Sequence, residues 1–265
     1  MPLYEYAKIL PKQDYFSIFI LNKSIKLKNL IKSQKAERTC KMKHIFNIYD
    51  MLKISEELYE YLDGKIEFDV QGRPIFKKEF FLEEWPEQMV TWENRNSKYI
   101  RDKKKTLMCF YMKDKLIYPR VANIIDEVEK YKEFLGVVQP DITLTRDMDV
   151  ELQNAIMIVN QLVIAVLAVN GVKIVINTRA GIQETENNFN NIPENIMCSS
   201  GFLGCDKATN YQETALYINK ILSLRPKRIV IYGKKDNNIQ DQMDILGINY
   251  RRYDDFHTYS KRGCV

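Results

Sequence analysis

Polar residues standing just beyond short apolar runs are the groups in this chain whose types and spacing could do chemistry. Asp141 follows Val137-Val138-Gln139-Pro140, with Arg146, Asp147 and Asp149 on the stretch behind it. Asn177 and Arg179 follow the run that begins at Val172. Ser199 and Ser200 close a run that begins at Asn195. Tyr232, Gly233 and Lys234 end another, and Asp254 and Asp255 follow a last one. Carboxylates beside an arginine and hydroxyls are suited to holding a metal, a phosphate or a sugar. In such a site Asp141 and Asp147 would be metal ligands or a general base, Arg179 an anion clamp, and Ser199 and Ser200 hydrogen-bond donors. The plainer role for Asp147 or Asp149 is to cap the helix that follows, since N-caps favour Asp and the helix dipole favours negative charge there. Asp141, directly behind a proline, is harder to explain as a cap and is the foremost candidate acid.

Other patterns are weaker. The turn from Ser199 to Gly204 could cradle a phosphate with backbone N–H groups, yet it lacks the glycine spacing of a dinucleotide fingerprint and the Lys-Ser/Thr of a P-loop. Cys198 and Cys205 are spaced more widely than a usual zinc pair, with only His257 and Cys264 left as partners, so no metal site is expected. Ser199, His257 and Asp141 make a triad on paper, but no nucleophile elbow supports it. The residues name no cofactor.

The elements that must position the rim residues can be read from periodicity. Residues 1–105 are weakly patterned. A helix is expected over 48–63, with Ser55 as a cap and Asp63-Gly64 as its stop. From about residue 105, short apolar runs alternate with helical stretches. Strands are expected at Leu107–Met112, Gly136–Pro140, Val172–Asn177, Asn195–Gly201, Arg228–Gly233 and Ile248–Tyr253. Helices are expected at Ile124–Phe134, 149–170, Thr209–Leu224 and Asn238–Leu246. This alternation implies βαβ units and an α/β fold with a mostly parallel sheet, either open and doubly wound or a partial barrel. Ligands in both architectures bind outside the carboxyl ends of the strands, which is where the rim residues fall. The organisation expected is a basic arm (1–45) and irregular region up to 105, an α/β domain over 106–258, and a tail over 259–265. The apolar stretch Ala155–Val169 is shorter than the roughly 20 residues of a bilayer span and leads straight into a strand, so a buried crossover helix is expected and no membrane partner.

Forty Lys+Arg against thirty-five Asp+Glu leave the 265-residue chain at +5, with 45% hydrophobic residues. That composition excludes a disordered chain and a small disulfide scaffold. Five scattered cysteines and no apolar leader point to a reduced, cytoplasmic protein. The charge is segregated: residues 1–45 hold ten basic residues, among them Lys23, Lys26, Lys28, Lys32, Lys35, Arg38, Lys41 and Lys43, against three acids. This +7 arm, with Tyr15, Phe16, Phe19 and Phe46 nearby, is suited to phosphate backbones; its plainer reading is a solvated, lysine-rich surface.

The stretch from Val137 to Met148 resembles the domain-of-unknown-function family 4417, found largely in bacteriophages, prophages and other mobile elements. The family's Pro-Asp strand end, Arg-Asp-Met turn, helix Gln, Asn-Gly-Val-Lys, Ile-Pro turn, Ser-rich strand end and Tyr-Gly are matched here by Asp141, Arg146-Asp147-Met148, Gln153, Asn170-Gly171-Val172-Lys173, Asn191-Ile192-Pro193, Ser199-Ser200-Gly201 and Tyr232-Gly233. The likeness covers about residues 108–256. Two arginines usual in the family fall at Val159 and Gln161, and its Pro after the next strand is Asn177. The resemblance implies an α/β fold and a mobile-element setting, in the host cell cytoplasm if phage-encoded, and brings no established activity.

Two functional readings stand side by side. The first is a phage or mobile-element protein acting by binding nucleic acid, a host nucleoprotein or a defence component partly through residues 1–45, with Arg146 and Tyr232 as further binding candidates. The second is an enzyme or nucleotide-binding protein working at the strand-end rim. Self-association into a homo-oligomer is a third alternative.

Overall fold

The computed structural model of the chain describes residues 43–262 apart from 46, 146, 180–188, 202–210 and 235. Seven strands alternate with helices: β1 (Gln88–Thr91), β2 (Thr106–Cys109), β3 (Gly136–Val138), β4 (Ile174–Asn177), β5 (Met197–Gly201), β6 (Arg228–Tyr232) and β7 (Tyr250–Tyr253). Every neighbouring pair is parallel and the spatial order is the sequence order, from β1 to β7. A sequential parallel order with a helix between most strands curls one way, because each crossover is right-handed. The result is the partial-barrel form of the expected α/β sheet. Its edges, β1 and β7, are not hydrogen-bonded to each other.

Side-chain alternation sorts the strands' residues to two sides. Met89, Leu107, Cys109, Val138, Val175, Met197, Val230 and Tyr232 meet in one apolar cluster inside the curl. Val90, Met108, Val137, Ile174, Ile176 and Cys198 point the other way, into a larger cluster shared with the helices. Burial on both faces explains why most strands read as continuous apolar runs. The central helix of that outer layer, α4 (Val150–Val169), buries fourteen of its twenty residues. It passes the length and hydropathy test for a membrane span, but 72% of its apolar window is buried inside the protein, as in a core helix. Asp149 is its N-cap, accepting the Glu151 N–H at 2.8 Å.

Three local features differ from the sequence expectation. Helix α1 (Ile48–Leu62) is capped by Asn47, which accepts from Tyr49 and Asp50 N–H, whereas Ser55 is buried mid-helix and its hydroxyl donates to the Met51 carbonyl. Helix α2 (Asp114–Ala122) precedes α3 (Ile124–Lys132) and carries Pro119 inside it. Beyond α5 (Tyr211–Leu224) and α6 (Asn237–Ile245), the last described element is α7 (Phe256–Arg262), over residues read from sequence as the end of the α/β domain (to 258) and the tail (259–265).

The amino end of the curl is closed by the segment leading into β1. Phe81 forms a parallel bridge with Ile174, and Leu82 N–H bonds the Ile174 carbonyl at 3.0 Å. Arg228 donates to the Glu83 carbonyl, Trp85 lies beneath the guanidinium groups of Arg228 and Arg251, and Tyr253 Oη donates to the Pro86 carbonyl at 2.8 Å. Residues 81–86 therefore form a strap from β4 past β6 and β7 to β1. At the other end Tyr111, two residues past β2, reaches across the interior to β5 and β6. Its hydroxyl shares a 2.8 Å hydrogen bond with Ser199 Oγ and its ring stacks on Tyr232, with centroids 5.7 Å apart. A Cβ on Gly201 would lie 2.4 Å from that ring. Gly201→Ala should therefore lower the unfolding free energy by about 1–3 kcal/mol, the usual cost of overpacking. Urea denaturation measures it, and an unchanged midpoint would mean that the Tyr111 ring is not held against the β5 backbone.

Candidate functional site

Asp141 lies three residues past the end of β3, and Asn177 and Arg179 lie at and just past the end of β4, which pairs directly with β3. Adjacency of parallel strands thus delivers all three to one place at the carboxyl mouth. Asn177 Nδ2 donates to Asp141 Oδ1 at 2.7 Å, and Arg179 donates to Oδ2 at 3.0 Å. The Asp141 side chain is 16% exposed and that of Arg179 is 28% exposed. Burial pushes the Asp141 carboxyl above its ordinary range; the Arg179 charge and the two hydrogen bonds pull the other way, and Asp114 adds repulsion.

Two further contacts hold this arrangement. Gln139 Oε1 accepts the Asn177 backbone N–H at 3.3 Å. Asp114, at the start of α2, accepts from the Thr143 N–H at 3.2 Å and hydroxyl at 3.0 Å, tying the segment after Asp141 to that helix. Below lie Tyr111, Ser199 and Cys109 on the inner face. The Tyr111 hydroxyl and the Cys109 thiol are held protonated above their usual ranges, first by burial, with the Asp141 charge adding to it. Each Asp141 oxygen has a second lone pair, so the mouth combines a carboxylate acceptor, a guanidinium and an amide over a floor of hydroxyls.

The other rim residues are placed differently. The pleat parts the two serines: Ser199 faces Tyr111 inside, whereas Ser200 faces outward with Thr178 toward the Tyr217 hydroxyl. Asp147 is exposed and bonded to Thr145, which lowers its pKa, and it is not among the groups that act on Asp141. Tyr232 is fully buried and its hydroxyl accepts the Phe256 N–H, a wall of the interior rather than a surface group. Asp254 pairs with Arg252 at 2.7 Å, and Asp255 caps α7 through the Thr258 N–H. Lys43 is paired with Glu57. Lys23, Lys26, Lys28, Lys32, Lys35, Arg38, Lys41, Arg146, the turn after Gly201, Cys205 and Cys264 lie outside the described residues. Among the described residues no group of three or more His, Cys, Asp or Glu could hold a metal ion.

Sequence reasoning passed over Tyr111, Gln139 and Asp114. A signal for Tyr111 was present, since Leu107, Cys109 and Tyr111 share one strand face. Asp114 sits in a helix that Pro119 concealed.

The model of the family described as Domain of unknown function (DUF4417) matches residues 73–254, a span that includes the strap, all seven strands and the mouth. No curated protein and no solved structure matches the chain.

A carboxyl whose pKa is higher in the folded than in the unfolded state binds its proton more tightly when folded. Stability from this group is then greatest at acid pH and falls as pH rises from the unfolded value, about 3.9, through the raised folded one. Removing the carboxyl in Asp141→Asn removes that slope. The stability of the native chain relative to the variant should therefore decline as pH rises from about 4 through the raised folded value, as read by chemical denaturation at several pH values. A relative stability that climbs with pH would place the folded pKa below its ordinary value.

Proposed function

The chain belongs to the DUF4417 family, and for this member we propose a function centred on the barrel mouth: binding, and chemical change, of a small anionic ligand of the nucleotide class. The observation that carries the reading is the mostly buried Asp141 carboxyl, bridged by the Asn177 amide and the Arg179 guanidinium. Burying a charge is costly unless it is paired and hydrogen-bonded, and an arrangement of this kind at the carboxyl ends of parallel strands is where such folds place their chemistry. Asp141 takes the role of proton acceptor or polar anchor, Arg179 that of anion clamp, and Ser199 with Tyr111 that of neutral donors beneath them.

The test is thermal unfolding of the full chain against a panel of nucleotides and phosphorylated sugars. A ligand present at a hundred times its Kd should stabilise the protein by about 2.7 kcal/mol. Asp141→Asn and Arg179→Met should abolish that shift while folding normally, and Tyr49→Ser, at an exposed position, should retain it. Equal shifts in all three variants would sink the reading.

The charge segregation favours a second reading, a mobile-element protein whose residues 1–45 engage nucleic acid, a host nucleoprotein or a defence component in the host cytoplasm. Removing residues 1–45 should then abolish capture of that partner, scored by mass spectrometry of what co-purifies. Undiminished capture by the shortened chain would end this reading.

A further inference from the structure

The folded body carries a second charge asymmetry, at the seam between β1 and β7. The crossover from β1 to β2, residues 92–105, holds six basic residues (Arg95, Lys98, Arg101, Lys103, Lys104 and Lys105) against Glu93 and Asp102. The last strand and helix, residues 250–262, hold Arg251, Arg252, Lys261 and Arg262 against Asp254 and Asp255. Together these segments carry +6. The whole chain is at +5 and residues 1–45 at +7, so residues 46–265 are at −2 and the body outside the two segments is at −8. The strap beside them and the residue after it add Glu83, Glu84 and Glu87, so the seam with its strap is at +3 and the rest of the body at −5.

The two segments face one another. Tyr99 packs edge-on against Phe256 with ring centroids 6.3 Å apart, and Gln88 Nε2 donates to the Tyr99 carbonyl. Arg101, Lys105, Gln88 and Tyr259 line one polar cleft along the β1 edge together with the carboxylates of Glu87 and Asp102. Lys98, Arg101, Lys104, Arg251 and Lys261 are exposed and form no ion pair among the described residues. Lys103 and Lys105 are paired with Glu133 and Glu87, and Arg252 with Asp254. Half-buried rings stand among these cations: Tyr99 under Lys98, Trp85 under Arg251, and Tyr259 in the cleft. None of the exposed large apolar side chains lies in either segment, so this side offers nothing to wedge into a lipid surface.

We propose that the β1/β7 seam is a nucleic-acid-binding face, on which exposed Lys and Arg side chains meet the phosphate backbone and the interleaved rings offer stacking surfaces. Unlike the mouth reading and the arm reading, it uses neither Asp141 nor residues 1–45. Cations with partly exposed aromatics suit single strands, which present both phosphates and unstacked bases. Contacts to phosphates and to the faces of bases carry no sequence information, so the binding is sequence-tolerant.

The experiment measures fluorescence anisotropy of a labelled oligothymidine, and of a duplex, with the full chain between about 50 and 200 mM salt. The variant Lys98→Glu/Arg101→Glu/Lys261→Glu changes only exposed side chains. It should weaken binding and flatten the plot of log affinity against log salt by about 2–3, given roughly 0.7–0.9 per lost phosphate contact. The corresponding Gln variant should fall between the two, and thermal unfolding should be unchanged in both. Vesicles rich in anionic phospholipid serve as the competing polyanion. An unaltered affinity and slope in the Glu variant would overturn the proposal. So would tighter binding to the vesicles than to the oligonucleotides, or loss of all oligonucleotide binding on reversing Lys26, Lys28 and Lys32 alone.

Discussion

Everything described in this molecule follows from a parallel sheet that curls in sequential order, with seven strands among the described residues. Curling brings β2 close enough to β5 and β6 for Tyr111 to meet Ser199, Gly201 and Tyr232 across the interior. Among the described residues, β1 and β7 are edges that no backbone ladder joins to each other. The protein manages that gap with side chains: Trp85, Tyr99, Tyr253 and Phe256 fill the seam, and Arg251 and Arg252 put charge on the β7 edge. Charged edge residues also discourage pairing with a second copy's strand. The same open edge thus explains the packing there and the concentration of cations around it.

The mouth is built on a different balance. A carboxylate placed among apolar strand ends is stabilised by Arg179 and Asn177 but not returned to its solution state, and burial still dominates its pKa. Ion pairs of this kind contribute little net stability, because desolvation offsets much of the attraction. Their cost is more readily understood where the group has work to do. The second layer points the same way, with Gln139 on the Asn177 backbone and Asp114 on Thr143 fixing the two segments that supply the acid and its partners.

Legibility in the sequence tracked how local the determining forces were. The runs forming β4 and β6 could be read because burial on both faces leaves no polar alternation, and the cap could be narrowed to Asp147 or Asp149 because capping involves only neighbouring residues. Strand β1, Gln-Met-Val-Thr, is buried throughout yet bounded by polar types, so its four residues carry no period. Helix α2 was hidden by Pro119, which reads as a breaker although its place in the helix is tolerated. The choice between an open sheet and a partial barrel was beyond local pattern, since it depends on contacts such as Tyr111 with Ser199, 88 residues apart. Asp141 and Arg179 were both visible as rim residues. Their pairing was not, because it requires knowing that β3 and β4 are neighbours.

The strap carries a consequence for the order of assembly. It precedes β1 in the chain, yet its partners are late arrivals: Glu79, just ahead of it, meets Lys173, and within it Glu83 meets Arg228 and Pro86 meets Tyr253, separations of 94, 145 and 167 residues. Contacts so distant along the chain are slow to form, because the loop entropy is lost before the contact is gained. On the ribosome, residues 81–86 emerge early and wait without their partners until nearly the whole chain has followed. The outer helical layer around α4 can condense first, whereas the amino end of the curl is sealed only when β7 is in place. Synthesis interrupted before β7 therefore yields a chain whose Leu82 and Trp85 have no finished floor to close, a natural substrate for chaperones and proteases.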